Sequence, residues 1–145
     1  MKPHQFIFQS GNWIGEGRVT FSASPDLIRF YTKWVINPAD TKGIVCIQEV
    51  EMQGTEPHMV NSFVFLNITD SSFEVELENQ LMGKVKGKGI IDEKTIAWEF
   101  HGHGGLEGFE VYTLEENGDY MLHAEYASTD QFRTIIDGRI WKKSA

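Results

Sequence analysis

Cysteine is almost missing from this chain. Cys46 stands alone among 145 residues, so no disulfide can close within it, and a reducing, cytoplasmic setting is expected. It lies in the apolar run Ile44-Val45-Cys46-Ile47, where a buried, inert thiol is expected rather than a nucleophile. Proline is scarce as well. Four prolines against fourteen glycines leave little for rigid linkers and much for tight turns. Positive charge is short: 13 Lys and Arg face 21 Asp and Glu, for a net charge of −8. Nucleic acid is thereby excluded as a partner, because phosphate recognition needs clustered cations. No stretch approaches the roughly 20 apolar residues of a membrane-spanning helix, and Met1 to Gln5 lacks the pattern of a secretory leader.

Aromatic residues, by contrast, are plentiful. Ten Phe, four Trp and four Tyr suffice to line a pocket as well as to fill a core. The length suits one domain over residues 1–145, and no repeat, linker or βαβ rhythm divides it. The dominant pattern is period two, which points to half-buried strands. Strands are expected at about 12–23, 27–37, 42–53, 59–69, 73–78, 81–91, 95–101, 106–114, 119–129 and 133–142. Ser24-Pro25 could also open a helix, but Tyr31 to Ile36 is rich in β-branched and aromatic residues and favours a strand. Asn117-Gly118 is the clearest hairpin turn. Lys84, Lys86 and Lys88 fall on one strand face and read as solvated. The fold class is therefore all-β: a single antiparallel up-and-down barrel of about ten strands, with the first strand meeting the last.

Gly11-x-Trp13 opening the first strand, with Arg139 and Trp141 closing the last, resembles the calycin superfamily of lipocalins and fatty-acid-binding proteins. The resemblance implies that Trp13 packs across a closed barrel bottom with Arg139 over it, making Gly11, Trp13 and Arg139 the closure. It also implies a small apolar ligand inside. The run Gly11-Asn12-Trp13-Ile14-Gly15-Glu16-Gly17 is similar to the opening of nitrobindin-type ten-stranded barrels, which bind haem through a His. Here Phe132 to Ala145 contains no His, and His123 is the nearest candidate.

The expected function is binding of a small hydrophobic or aromatic molecule, with no resident cofactor. The candidate lining comprises Arg29, Trp34, Phe63, Phe65, Trp98, Phe100, Phe109, Tyr112 and Tyr126, of which about half must face outward. Arg29, a Tyr hydroxyl or a His would orient the ligand's polar end. Glycines 15, 17, 83, 87 and 89 share strand faces with Trp13 and Val85, and would serve curvature or leave interior room.

Three alternatives stand beside this reading. His101-Gly102-His103 puts two imidazoles on one side of a strand, so with His123, His58, Glu107 or Glu110 a metal or haem site is conceivable. Glu99 or Glu125 inside an aromatic cavity would have a raised pKa and suit a small enzyme. Glu49, Glu51, Glu74, Glu76, Glu78, Glu107 and Glu110 read instead as outward faces. Finally, Ile44 to Ile47 is apolar on both sides and would suit burial in a homodimer.

Overall fold

Alternating residues give each strand one face that must be buried, and a sheet that rolls up buries all those faces at once. The computed structural model describes residues 4–22, 24–54, 58–80, 83–103, 106–127 and 133–143, without the side chains of residues 102, 103 and 106. Ten strands follow in chain order: β1 (Gly11–Phe21), β2 (Ser24–Ile36), β3 (Ile44–Met52), β4 (Met59–Leu66), β5 (Ser72–Asn79), β6 (Gly83–Ile91), β7 (Thr95–His103), β8 (Leu106–Leu114), β9 (Tyr120–Ala127) and β10 (Arg133–Lys142). Each pairs antiparallel with its neighbours in sequence, and β1 also pairs with β10, so the sheet closes into an up-and-down barrel. Gly17 meets Gly138 across that seam and Glu16 meets Arg139. Ser24-Pro25 opens a strand, not a helix, with the Ser24 hydroxyl accepting from the Asp26 amide at 3.1 Å.

Register converts the charge pattern into cross-strand pairs. Glu74, Glu76 and Glu78 of β5 stand opposite Lys88, Lys86 and Lys84 of β6 on the outer face. Opposite charges so placed contribute about 0.2–1 kcal/mol each.

The lower end of the barrel, where β1 begins, is packed solid. Trp13, Trp34, Phe63, Phe65, Trp98, Tyr112 and Tyr120 fill it, all at most 2% exposed. Phe63 and Phe65 stack at 5.8 Å, and Tyr112 stacks on Trp98 at 5.0 Å. The N-terminal segment stoppers this end. Phe6 inserts among Trp13, Trp34, Tyr112 and Tyr120 with ring centroids 4.9–5.5 Å away. His4 fastens the segment through Nε2, which donates to the Asp92 carbonyl at 2.7 Å. Its Nδ1 lies 2.6 Å from the Tyr120 hydroxyl and, in the neutral ring, accepts from it. Ile7, fully buried, takes a positive φ of 62°, a conformation that a β-branched residue adopts only under tertiary constraint.

This arrangement corrects the closure that the Gly-x-Trp and Arg139 resemblance implies. Arg139 shares a face with Glu16 and points outward, where its guanidinium donates to the Asp119 carboxylate. Trp13 is covered by Phe6 and Tyr120. Alternation explains the difference: Ile140, not Arg139, is the inward residue of that strand and faces Gly15.

Gly15, Gly17, Gly87 and Gly89 do not stand over empty space, whereas Gly83, at a φ of +68°, has nothing within 4 Å of where a Cβ would lie. A Cβ on Gly89 would lie 2.1 Å from Phe73 Cζ, and one on Gly17 would lie 2.7 Å from Phe30 Cε2. Aromatic rings from neighbouring strands lie across the bare backbone, so these glycines serve close approach.

Candidate functional site

The upper half of the interior differs from the lower. Inward-facing Val50, Met52, Asn61, Glu110, Tyr126 and Ile136 are half-buried there, as Ile91 and Leu114 are at the lower end, while Phe30, Val85 and Phe100 of the upper half are as buried as the floor. What sets the upper half apart is that it carries the polar side chains of the interior. Two polar groupings line it.

The first is a chain of side-chain hydrogen bonds across four adjacent strands. Asn79 of β5 donates to Asn61 Oδ1 at 3.0 Å. Asn61 of β4 donates to Gln48 Oε1 at 3.0 Å, and Gln48 of β3 donates to Thr32 Oγ1 of β2 at 3.1 Å. Each amide satisfies the next, which is how buried polar groups are tolerated.

The second centres on Glu110. Register places Glu110 between Trp98 of β7 and Ala124 of β9, both buried, so it faces inward. Tyr112 donates to one carboxylate oxygen at 2.6 Å, and Tyr126 donates to the other. Tyr126 reaches it because Gly108, its cross-strand partner, has no side chain: a Cβ there would lie 2.5 Å from Tyr126 Cδ1. Burial raises the Glu110 pKa above the usual carboxylate range; the two tyrosine bonds and the Trp98 indole N–H oppose that rise without cancelling it. Burial first, and then the charge of Glu110, push both tyrosines well above their ordinary values. In the ten-strand ring β8 stands diametrically across from β3, and β9 across from β4. The carboxylate–tyrosine wall and the amide wall therefore face each other.

The candidate lining residues separate by face. Trp34, Phe63, Phe65, Trp98, Phe100, Tyr112 and Tyr126 point inward, the first six as tightly packed floor and wall, and Tyr126 half-buried. Arg29 and Phe109 do not belong with them. Arg29 is exposed opposite Arg18 on the outer face, and Phe109 lies in an outer groove with Ile90, Ala97 and Val111. The polar interior positions were not legible as such. Thr32, Gln48, Asn61 and Asn79 each look like an isolated polar substitution in an apolar pattern, and only the pairing register aligns them.

Glu110 reverses the expectation of an outward face. On β8 the set Phe109-Val111-Thr113 is more apolar than Gly108-Glu110-Tyr112, so composition alone turns the wrong set inward. The Asn117-Gly118 hairpin decides otherwise, because it pairs Tyr112 with Leu122 and Glu110 with Ala124. Glu99 and Glu125, the carboxylates expected inside, lie on the outer face beside Phe109.

His58, His101 and His123 are also outside. His101 is exposed, with Nε2 3.1 Å from Glu99 and Nδ1 3.8 Å from Glu107. His58 is exposed near Glu51. The His103 side chain lies outside the described residues. His123 sits on the outer face between Asp137 at 2.6 Å and Glu125 at 2.9 Å, so it cannot ligate a group held in the interior. Hydrogen bonds to Asp137 and then Glu125 raise its pKa. Among the described residues no three of His, Cys, Asp and Glu form a metal-ligand set. Cys46 points inward, fully buried, and burial pushes its thiol up to about 12. Ile44 joins it inside, while Val45 and Ile47 lie half-buried on the outer face.

No protein-family profile matches the chain, and no curated protein matches it. Among solved structures it is similar to the S-type phycobiliprotein lyase CPES from Guillardia theta, with a TM-score of 0.70 and 10% identity. The match covers 94% of this chain and 89% of that one. At that identity the likeness is one of fold.

Proposed function

We propose that the barrel binds a small, largely apolar or aromatic molecule in its upper interior. The observation that carries this reading is the pair of polar groupings on inward faces above the aromatic floor, the Thr32–Gln48–Asn61–Asn79 chain and the Glu110–tyrosine set. Apolar burial supplies the affinity there, and the two polar walls fix the orientation. The likeness to a barrel named as a phycobiliprotein lyase supports a use for the interior without identifying what this chain holds.

Nile red, a neutral phenoxazone dye that brightens on leaving water, tests the reading. Saturable one-to-one binding is expected, and it should be lost in Val50→Trp, which fills the upper interior from β3 while leaving the floor untouched. Equal binding by wild type and Val50→Trp would place the dye on an outer groove and refute the proposal. Native mass spectrometry of the purified protein supplies a dye-free check through any co-purifying molecule.

A further inference from the structure

A cavity that holds a buried acid and no base constrains what can enter it. Among the described residues every Lys and Arg is exposed, so the interior offers Glu110 no cation. The groups that face it are Tyr112 beside it on β8, Tyr126 and Ala124 from β9, and Trp98 from β7. The strand opposite in the ring, β3, carries the neutral amide of Gln48. A carboxylate has about four lone-pair positions. The two tyrosine hydroxyls occupy one on each oxygen, which leaves acceptor capacity on the carboxylate of a half-buried residue.

We infer that the interior ligand presents a positive charge or N–H donors, and that Glu110 receives them. This rests on the upper interior being a binding site. The same geometry disfavours an anionic ligand such as a fatty acid. Such a molecule would meet a like charge, and among the described residues the hydroxyl protons beside Glu110 are already donated to it. Tyr112 and Tyr126 act as positioning residues, holding both oxygens so that the free acceptor sites face the cavity. A flat aromatic amine or an N–H-bearing heterocycle satisfies the apolar walls and the carboxylate together.

Nile blue and Nile red share a fused ring system, and only Nile blue carries a positive charge and amino N–H groups. Wild type should bind Nile blue, and Glu110→Gln should weaken that binding about tenfold or more, the size expected for a hydrogen bond to a charged partner. Nile red, with no positive charge and no N–H donor, should lose less affinity than Nile blue on the same substitution. Nile red also reports whether the variant still forms the cavity. A second measurement needs no variant: Nile blue affinity for wild type should rise with pH as Glu110 ionises, above the ordinary range near about 4. Nile red affinity should stay flat.

A folded Glu110→Gln protein that binds Nile blue as tightly as wild type overturns the inference. So does a Nile blue affinity that does not change with pH, including when the variant fails to fold. If wild type binds neither dye, the upper interior is not a binding site, and the broader reading falls with this one.

Discussion

Replacing Phe6 with Ala should destabilise the barrel far more than removing Arg139. Phe6 is fully buried and its ring touches Trp13, Trp34, Tyr112 and Tyr120. Truncating a buried Phe costs about 3–5 kcal/mol, and four aromatic neighbours put this site toward the upper end. One effect limits the loss. If the truncated segment undocks, Ile7 escapes its left-handed conformation, recovering about 1–2 kcal/mol. A net loss of about 3 kcal/mol follows, a large share of the roughly 5–15 kcal/mol that holds a domain folded. At about 3 °C per kcal/mol for a chain of this size, the melting temperature should fall by roughly 10 °C. Arg139→Ala removes one exposed ion pair with Asp119 and should cost at most about 1 kcal/mol. Urea unfolding followed by tryptophan fluorescence and circular dichroism measures both. If Arg139→Ala proves the costlier, or Phe6→Ala costs less than about 1 kcal/mol, Phe6 is not the stopper of the lower end.

His123 should titrate above its ordinary value near about 6.5 when followed by NMR. Its raised pKa makes a stabilising contribution that is full below the unfolded value and lost as pH rises through the folded one; a His123→Gln protein should lack that slope. Glu125, lowered by its bonds to His123 and then Arg133, loses its contribution at the acid end instead. Glu110 acts in the opposite sense from Glu125: its raised pKa removes stability as pH climbs through its titration. Glu110→Gln should therefore gain on wild type at neutral pH and converge with it in acid; a variant that is less stable at pH 7 contradicts the burial argument. Gly89→Ala drives a methyl into the Phe73 ring and should cost about 1–3 kcal/mol. Adding Phe73→Leu should restore part of that loss, and a neutral Gly89→Ala would show that the ring moves freely.

Strand positions and the β1–β10 closure follow from alternation, because a face that must be buried repeats every second residue. The Glu and Lys triplets of β5 and β6 announce their own outward faces. Faces became illegible where both alternating sets were mixed. On β8, Phe109 and Val111 are outside and Glu110 inside, against composition, because the hairpin register rather than hydrophobicity decides. The amide wall is invisible residue by residue, since Thr32, Gln48, Asn61 and Asn79 come from four strands. The stopper is hidden for another reason. Phe6-Ile7-Phe8 is too short to show a period, and two of the four rings around Phe6, those of Tyr112 and Tyr120, come from the far end of the chain.

That distance governs the order in which the molecule can assemble. His4 and Tyr120 are 116 residues apart, and the β1–β10 seam joins the two ends of the barrel sequence. Local hairpins such as β8–β9 can form early, whereas the seam must wait for nearly the whole chain, and loop closure over such a span slows folding. The stopper's socket is built from β1, β2, β8 and β9, so it exists only once the ring has joined. Sealing the lower end is thus a late event, and a destabilised stopper should act mainly by hastening unfolding.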